Sequence, residues 1–328
     1  MQQQFDNSIH NDSLLSDVTD HWAVVISPST TWANYRHQAD AFSMYQLLRQ
    51  YGYDDDHIVL IVEDNLAYSQ ENKDFPGQIF VERGDPLSWG FIGKDVRENA
   101  VVDYHFSQLT PDDIADIMQG RQSERLPHVI HPDSTSNVFF FWSGHGGMNG
   151  GPLWGNEDSK VYFGKDRIRS IVEEMAGTAA ANNSQFSILR SATSGDASLA
   201  KNSQFKKYRR MMFALETCYS GQWGEALTEL PDLLVLTAAN AYETSKADIF
   251  DQQLGVYLSN AFSRTFRSKV SKTSNVTLYD LYRELFKTTN GSHVTIYNND
   301  KYGSVYTETM QEYFPMRTTS ALTRMFLK

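Results

Sequence analysis

Short apolar segments that alternate with helical patterns constrain the fold of this 328-residue chain more than any other feature. Segments of this kind are typical of buried strands when they stop at turn-forming or polar residues. Because helical patterns separate most of them, the order favours a parallel or mostly parallel sheet with helices on both faces. The segments cover residues 22–27, 58–62, 138–142, 211–215 and 233–236.

Apolar residues at helical spacing predict the helices that would cover this sheet. Thr110 and Pro111 supply an N-cap and a first-turn proline for one of them, which should end near Gly120. A weaker strand is predicted near residues 294–297, and residues 64–108 are irregular. The predicted helices cover residues 34–51, 110–120, 166–175, 253–268 and 278–288.

No linker separates the sheet-building segments, so we expect one domain over residues 21–328, preceded by a polar segment at residues 1–20. Residues 176–204 shift in composition to Ala, Ser, Asn and Gly, which predicts an exposed inserted loop. The polar segment contains neither Lys nor Arg nor an apolar core, unlike a signal peptide. The compartment therefore stays open: cytoplasmic, or secreted or periplasmic if a leader was removed.

The charge balance excludes two classes of partner. Lys and Arg number 29 against 40 Asp and Glu, which gives a formal net charge of −11 and no generic attraction to nucleic acid or to an anionic membrane surface. No apolar run exceeds five residues, whereas a membrane-spanning helix needs about 20. The single cysteine, Cys218, excludes an intrachain disulfide framework.

Two reactive side chains follow predicted strands at the edge where open α/β sheets bind ligands. His145 comes three residues after the strand at 138–142, and Cys218 comes three residues after the strand at 211–215. If these strands are neighbours, a thiol and an imidazole share one crevice, as nucleophilic thiol chemistry requires. The imidazole would activate the thiol, and the backbone N–H of Gly146 would approach a carbonyl oxygen that becomes an oxyanion.

Other interpretations of these residues are open at this point. A lone cysteine is most often a small buried residue, and a histidine in a glycine-rich turn is usually a polar loop residue. The glycines at 144–151 could cradle phosphate, but no Gly-Lys-Ser/Thr follows, and Asn149 stands at the last glycine position of the dinucleotide fingerprint. His145 and Cys218 lack the further Cys or His neighbours of a zinc site, so we expect no metal and no cofactor.

Five segments in chain order carry a resemblance to a known family: HWAV at 21–24, WANYRHQAD at 32–40, SGHGG at 143–147, ETC at 216–218 and TAAN at 237–240. From about residue 21 to residue 251 the chain resembles the C13 family of cysteine peptidases, which holds legumain (asparaginyl endopeptidase) and the catalytic subunit of GPI transamidase. The resemblance implies a caspase-like three-layer α/β/α sandwich with a mostly parallel central sheet.

The resemblance also implies roles for individual residues. Cys218 would be the nucleophile, His145 its acid–base partner, and Asn34 the residue that orients the histidine, although Asn34 could equally be a helix N-cap. With Gly146 as an oxyanion donor, these groups form the predicted catalytic set.

A specificity pocket for the substrate residue before the cut is implied at Arg36, His37, Glu216 and Ser245. An Arg beside a Glu offers donors and an acceptor together, which suits the side-chain amide of Asn. An ordinary Arg36–Glu216 salt bridge is the alternative.

Two positions depart from the legumain pattern. Gly144 replaces the Asp before the catalytic His, as in the transamidase group, which puts legumain-like ligation in doubt. Val256 stands where the pocket would have a second acid, which puts strict Asn selectivity in doubt.

The resulting hypothesis is a legumain-like endopeptidase that hydrolyses peptide or protein substrates after Asn or Asp. A transamidase or peptide ligase of the same family is one alternative, and a catalytically inactive peptide-binding scaffold is another. We expect the inserted loop at 176–204 to be the first place where the chain is cut. It contains Asn182, Asn183, Asp196 and Asn202, so self-processing is one interpretation, and cleavage of an exposed loop by another protease is the alternative.

Overall fold

The computed structural model of the chain describes residue 18 and residues 20–84, 93–178 and 206–315. Nearly all of the predicted N-terminal segment and most of the inserted loop at 176–204 lie outside the described residues. The predictions of a single domain and of self-processing therefore stay predictions.

The predicted alternation of strands and helices is present. In chain order the described elements are β1 Asp20–Ser27, α1 Tyr35–Gln50, β2 Ile58–Val62, α2 Pro111–Gln119, β3 Ser136–Ser143, β4 Gly146–Gly147, β5 Gly151–Pro152, α3 Lys165–Met175, β6 Arg210–Glu216, α4 Gly221–Ala226, β7 Leu233–Thr237, β8 Ala247–Asp251, β9 Val256–Asn260, α5 Ala261–Val270, α6 Leu278–Thr288, β10 Thr295–Tyr297 and α7 Asn299–Tyr302.

Six of the strands form the central sheet in the order β10-β7-β6-β3-β1-β2. All neighbours are parallel except β10, which pairs antiparallel with β7. The strands β3 and β6 are neighbours, and Ser143 at the end of β3 lies opposite Glu216 at the end of β6. The predicted mostly parallel sheet is therefore confirmed, and so is the adjacency of the two strands that precede His145 and Cys218.

Alternate residues of each strand pack into two separate cores. On β1, Val25 faces the core formed with α1, α5 and α6, whereas Val24 and Ile26 face the core formed with α2 and α3. Both sides of the strands are apolar because helices cover both faces of the sheet. Burial of each such side chain contributes roughly 1.5–3 kcal/mol to the free energy of folding. The sheet between two layers of helices is the predicted α/β/α sandwich.

Local capping sets the limits of α2 as predicted. Thr110 and Asp113 form a reciprocal capping box, and Pro111 occupies the first turn. Gly120 ends the helix with a φ of 71°, a left-handed conformation that favours glycine.

The predicted helix over 253–268 is wrong in its first half. Residues 256–260 form strand β9, which pairs antiparallel with β8, and the helix begins only at Ala261. Val256 and Leu258 are buried while Tyr257 between them is exposed, which is the alternation of a strand and not helical spacing.

Candidate active site

The ends of β3 and β6 bring two loops into backbone contact. The N–H of Gly144 donates to the carbonyl of Glu216 at 3.1 Å, which extends the pairing beyond the last strand residues. A Cβ on Gly146 would lie 1.9 Å from the carbonyl oxygen of Cys218, so only glycine permits this approach. The loop that carries His145 therefore packs directly on the turn that carries Cys218.

Cys218 sits half-buried in a strained turn. The next residue, Tyr219, has a φ of 55°, and its N–H donates to the carbonyl of Glu243 at 2.8 Å. The Sγ of Cys218 lies 3.9 Å from the Oγ of Ser245. Among the described residues no hydrogen bond joins Cys218 to His145. No acceptor in the same part of the chain binds the backbone N–H of Cys218, so this N–H is available to a substrate oxygen.

The side chain of Asn34 lies against His145. It precedes α1 at the N-cap position but makes no side-chain capping bond, so the N-cap alternative does not explain its side chain. Its Oδ1 lies 2.8 Å from His145 Nε2. The carboxylate of Glu157 lies 3.0 Å from the same nitrogen and accepts from Asn34 Nδ2 at 2.5 Å.

The surroundings of His145 lower the pKa of its imidazole. Burial lowers the pKa of its imidazole, and the positive charge of Arg36 lowers this pKa further, against the opposing charge of Glu157. His37 packs edge-to-face on the His145 ring with centroids 4.8 Å apart, and its own Nδ1 is 2.7 Å from the hydroxyl of Ser29. Burial holds the pKa of His37 well below its ordinary value.

Arg36 has part of its guanidinium uncommitted. Its Nε donates to Asn260 Oδ1 at 3.1 Å, and its Nη1 donates to the carbonyl of Ala33 at 3.0 Å. No ion pair joins Arg36 to Glu216 in the described part of the chain, so the salt-bridge alternative is not observed. The same part of the chain offers no acceptor to Nη2.

Glu216 is buried, and the hydroxyls of Ser263 and Ser245 both stabilise its charged form. Its Oε2 accepts from the N–H of Ser263 at 3.0 Å and from the Ser263 hydroxyl at 3.1 Å. Its Oε1 is buried without a hydrogen-bond partner among the described residues. Burial, together with the negative charge of Asp40, raises the pKa of Glu216 to about 8, so this carboxyl is protonated at neutral pH.

Asp40 is buried and accepts hydrogen bonds from neighbouring side chains. Its carboxylate accepts from Ser259 Oγ at 2.6 Å and from Asn260 Nδ2 at 2.6 Å, and Ser143 Oγ lies 3.2 Å away. Burial raises the pKa of Asp40 to about 6. Because Asn260 also accepts from Arg36, one network joins Arg36, Asn260 and Asp40.

These two buried acids should make stability fall as pH rises. The pKa of Glu216 is about 8 in the folded chain against an ordinary 4.5, so the folded state keeps a proton that the unfolded chain releases. The stabilisation is fully present below pH 4.5 and is lost as pH rises through about 8. We expect the free energy of unfolding, measured by urea titration on the Cys218→Ala background, to fall across this range. Glu216→Gln should reduce the slope, whereas Glu98→Gln, at an exposed acid, should leave it unchanged.

The structure gives reasons for both departures from the legumain pattern. A Cβ on Gly144 would lie 2.9 Å from Pro28 Cγ, so an Asp at this position would require the neighbouring loop to move. Val256 is buried among apolar residues of the core that covers α1. The nearby acid Asp251 is buried and accepts the N–H groups of Gln253 and Leu254, which closes the β8–β9 turn.

Sequence reasoning missed Glu157, Asp40 and Asn260. Asp40 stands inside the segment at 32–40. A charged residue among the apolar residues of a predicted helix is the sequence signal that would have identified it. Glu157 lies in a loop with no strand pattern, and nothing in the sequence connects it to Asn34, 123 residues earlier.

Two other kinds of feature are absent from the described residues. No helix there is long and apolar enough to cross a membrane. No group of three or more His, Cys, Asp or Glu side chains there is arranged to hold a metal ion.

Comparisons with known proteins agree with the quoted motifs. The model of the peptidase C13 family matches residues 21–197 and 191–313. Legumain from Mus musculus is 28% identical over 285 residues, which cover 85% of this chain and 56% of that protein. The GPI-anchor transamidase of Saccharomyces cerevisiae is 26% identical over 269 residues, or 80% of this chain and 56% of that protein. A crystal structure of caspase-1 from Spodoptera frugiperda aligns with 85% of this chain and 86% of its own at 8% identity, with a TM-score of 0.42.

The chain spans about half the length of the legumain and the transamidase that it matches. The family match nevertheless extends over most of the chain and includes the segments that carry Asn34, His145 and Cys218. The chain therefore belongs to the peptidase C13 family.

Proposed function

We propose that the protein is a cysteine endopeptidase that cleaves peptide or protein substrates after Asn, and also after Asp. The observation that carries this proposal is the contact of the Gly146 backbone with the Cys218 carbonyl, which sets the imidazole-bearing loop against the thiol-bearing turn. Membership of the C13 family supports the same activity.

The reaction would be acyl transfer in two halves. The Cys218 thiol gives its proton to His145, and the sulfur attacks the scissile carbonyl carbon. The N–H groups of Cys218 and Gly146 would hold the resulting oxyanion. As this intermediate collapses, the C–N bond breaks and His145 protonates the departing amine. Water, deprotonated by His145, then hydrolyses the thioester and restores the thiol.

The proposed pocket suits a side-chain amide. The Nη2 group of Arg36 would donate to the side-chain oxygen of a substrate Asn, and the buried carboxyl of Glu216 would line the same pocket. Ser245 lies beside Cys218 at the same site. His37 would line one side of the pocket, and its ring also packs on the His145 ring. A neutral Glu216 does not repel the carboxylate of a substrate Asp, which supports acceptance of Asp.

A library of peptides tests this function directly. We expect sequencing of the cleaved ends to show Asn, followed by Asp, immediately before the cut. Preferred cleavage after Lys, Arg or a large apolar residue would show that the pocket is assigned wrongly.

The charge of Arg36 alone should not be enough for specificity. We expect Arg36→Lys to lower kcat/KM for the best Asn peptide by about tenfold or more, because an ammonium group cannot reproduce the planar donor fork. Arg283→Lys on the exposed side of α6 serves as the matched control and should change kcat/KM less than twofold, on the order of experimental error. Equal activity of both variants would contradict a direct contact between Arg36 and substrate.

Transamidation is a second candidate because an amine can replace water at the thioester. The observation that favours it is Gly144, which matches the transamidase group and packs against Pro28. Adding a short peptide with an N-terminal glycine during cleavage, and weighing the products by mass spectrometry, separates the two reactions. A ligated product in excess of the hydrolysed acid would favour transamidation.

A further inference from the structure

An exposed acid, Glu157, contacts both members of the Asn34–His145 pair. We propose that Glu157 is a positioning residue that fixes the tautomer of His145 and the orientation of the Asn34 amide. This inference rests on the proposed cysteine-peptidase function and adds a fourth side chain to the predicted catalytic set.

The geometry is a closed triangle of three side chains. Glu157 Oε2 lies 3.0 Å from His145 Nε2 and 2.5 Å from Asn34 Nδ2, while Asn34 Oδ1 lies 2.8 Å from His145 Nε2. The Asn34 NH₂ group also donates to Thr31 Oγ1 at 2.8 Å. Because both amide hydrogens are engaged by acceptors, the amide oxygen is the atom that faces His145.

This triangle decides which histidine nitrogen is the base. Both neighbours of Nε2, the oxygens of Asn34 and Glu157, are acceptors, so Nε2 carries the proton in the neutral imidazole. The other nitrogen, Nδ1, then holds the lone pair that would take the proton of Cys218. Without Glu157, Asn34 would be the remaining acceptor at Nε2 that fixes this tautomer.

The loop that carries Glu157 is anchored on both sides of the site. Asn156 Oδ1 accepts the N–H of Thr30 at 2.8 Å, and Asn156 Nδ2 donates to the Thr30 hydroxyl at 2.8 Å. The N–H of Leu153 donates to the carbonyl of His145 at 2.9 Å. An exposed ion pair usually contributes little to stability, but this one is held by a fixed backbone and can contribute to orientation.

Four groups set the charge environment of His145. Arg36 and Glu157 act on it with opposite charges, His37 packs on its ring, and Cys218 lies on the turn against which its loop packs. Glu157 raises the pKa of His145, whereas burial and Arg36 lower it. Removal of the Glu157 charge should therefore move the acid limb of the activity profile to lower pH.

Three variants separate the geometric from the electrostatic contribution. Glu157→Ala should lower kcat by about ten- to a hundredfold with KM changed less than about twofold. Glu157→Gln keeps an acceptor oxygen and should recover most of kcat at the pH optimum, but its acid limb should remain shifted to lower pH. Asp158→Asn, at the adjacent exposed acid, is the matched control and should behave as wild type.

Alkylation of Cys218 by iodoacetamide provides a second measurement that does not depend on peptide turnover. Cys218 is the single cysteine, so uptake of the label reports this thiol alone. Glu157→Ala should slow alkylation at neutral pH, because a less basic His145 supports less thiolate.

The two measurements distinguish failure of this inference from failure of the proposed function. Alkylation that responds to Glu157 in a protein that cleaves no peptide would support the inference and overturn the peptidase assignment. Peptide cleavage and alkylation in Glu157→Ala that both match Asp158→Asn would overturn the inference and leave the assignment intact.

Discussion

Cys218→Ala should abolish peptide cleavage, and His145→Ala should leave at most a trace. Each side chain supplies one half of the nucleophile–base unit, and such units fail together when either member is removed. We expect kcat/KM for the best library peptide to fall by about 10⁴-fold or more in both variants. Their combination should be no worse than Cys218→Ala alone, because the two residues act in one step.

His105→Ala is the matched control for the loss of a histidine. His105 is exposed and contacts the carbonyl of Glu63, away from the described site residues. Its replacement should leave turnover unchanged. Activity above about a tenth of wild type in Cys218→Ala would contradict the cysteine-peptidase assignment.

The same variants test whether the chain is an inactive peptide-binding scaffold. A scaffold would retain peptide binding in every variant, and its Cys218 thiol would react with iodoacetamide at the rate of an ordinary exposed thiol. A peptidase thiol should react faster in wild type than in His145→Ala, because the imidazole supports the thiolate.

Regular elements with strong local signals could be predicted from the sequence. The strand at 58–62 and the helix at 278–288 have the predicted limits, because apolar runs and capping residues set them locally. The hairpin of β8 and β9 was missed because alternation in β9 continues directly into the helical spacing of α5. Pairing with β8 decides the conformation there, and local composition does not reveal that pairing.

Some residues of the candidate site could be predicted from the sequence, and others could not. The positions of His145 and Cys218 followed from the ends of two predicted strands, since neighbouring parallel strands end at one edge of the sheet. Asn34 required the family resemblance. Glu157 could not be found, because it reaches the site from a loop whose position depends on the Asn156–Thr30 contact between distant parts of the chain.

The pocket also differs from what its residue types suggest. Arg36 and Glu216 carry opposite formal charges, yet they form no ion pair in the described structure, and burial keeps Glu216 protonated. Arg36 instead reaches Asp40 through Asn260. In the proposed pocket the donors of Arg36 would therefore be available to a substrate oxygen without a salt bridge having to break first.

Gly146→Ala should disable the site without removing any catalytic side chain. The φ of Gly146 lies outside the left-handed region, so alanine suits the backbone, but its Cβ would lie 1.9 Å from the Cys218 carbonyl oxygen. The two loops must separate by about 1 Å or more, and displacement of this size costs about 10²-fold in rate. We expect kcat/KM to fall by about that factor, and the alkylation of Cys218 to lose its dependence on His145.

Gly164→Ala is the matched control, because a Cβ at Gly164 meets nothing within 4 Å and the backbone there is extended. That variant should retain wild-type turnover despite a small loss of stability at the N-cap of α3. Thermal unfolding of both variants separates a local displacement from loss of the fold. If Gly146→Ala kept wild-type kcat/KM, contact between the two loops would not be what sets His145 against Cys218, and the observation that carries the proposed function would fail with it.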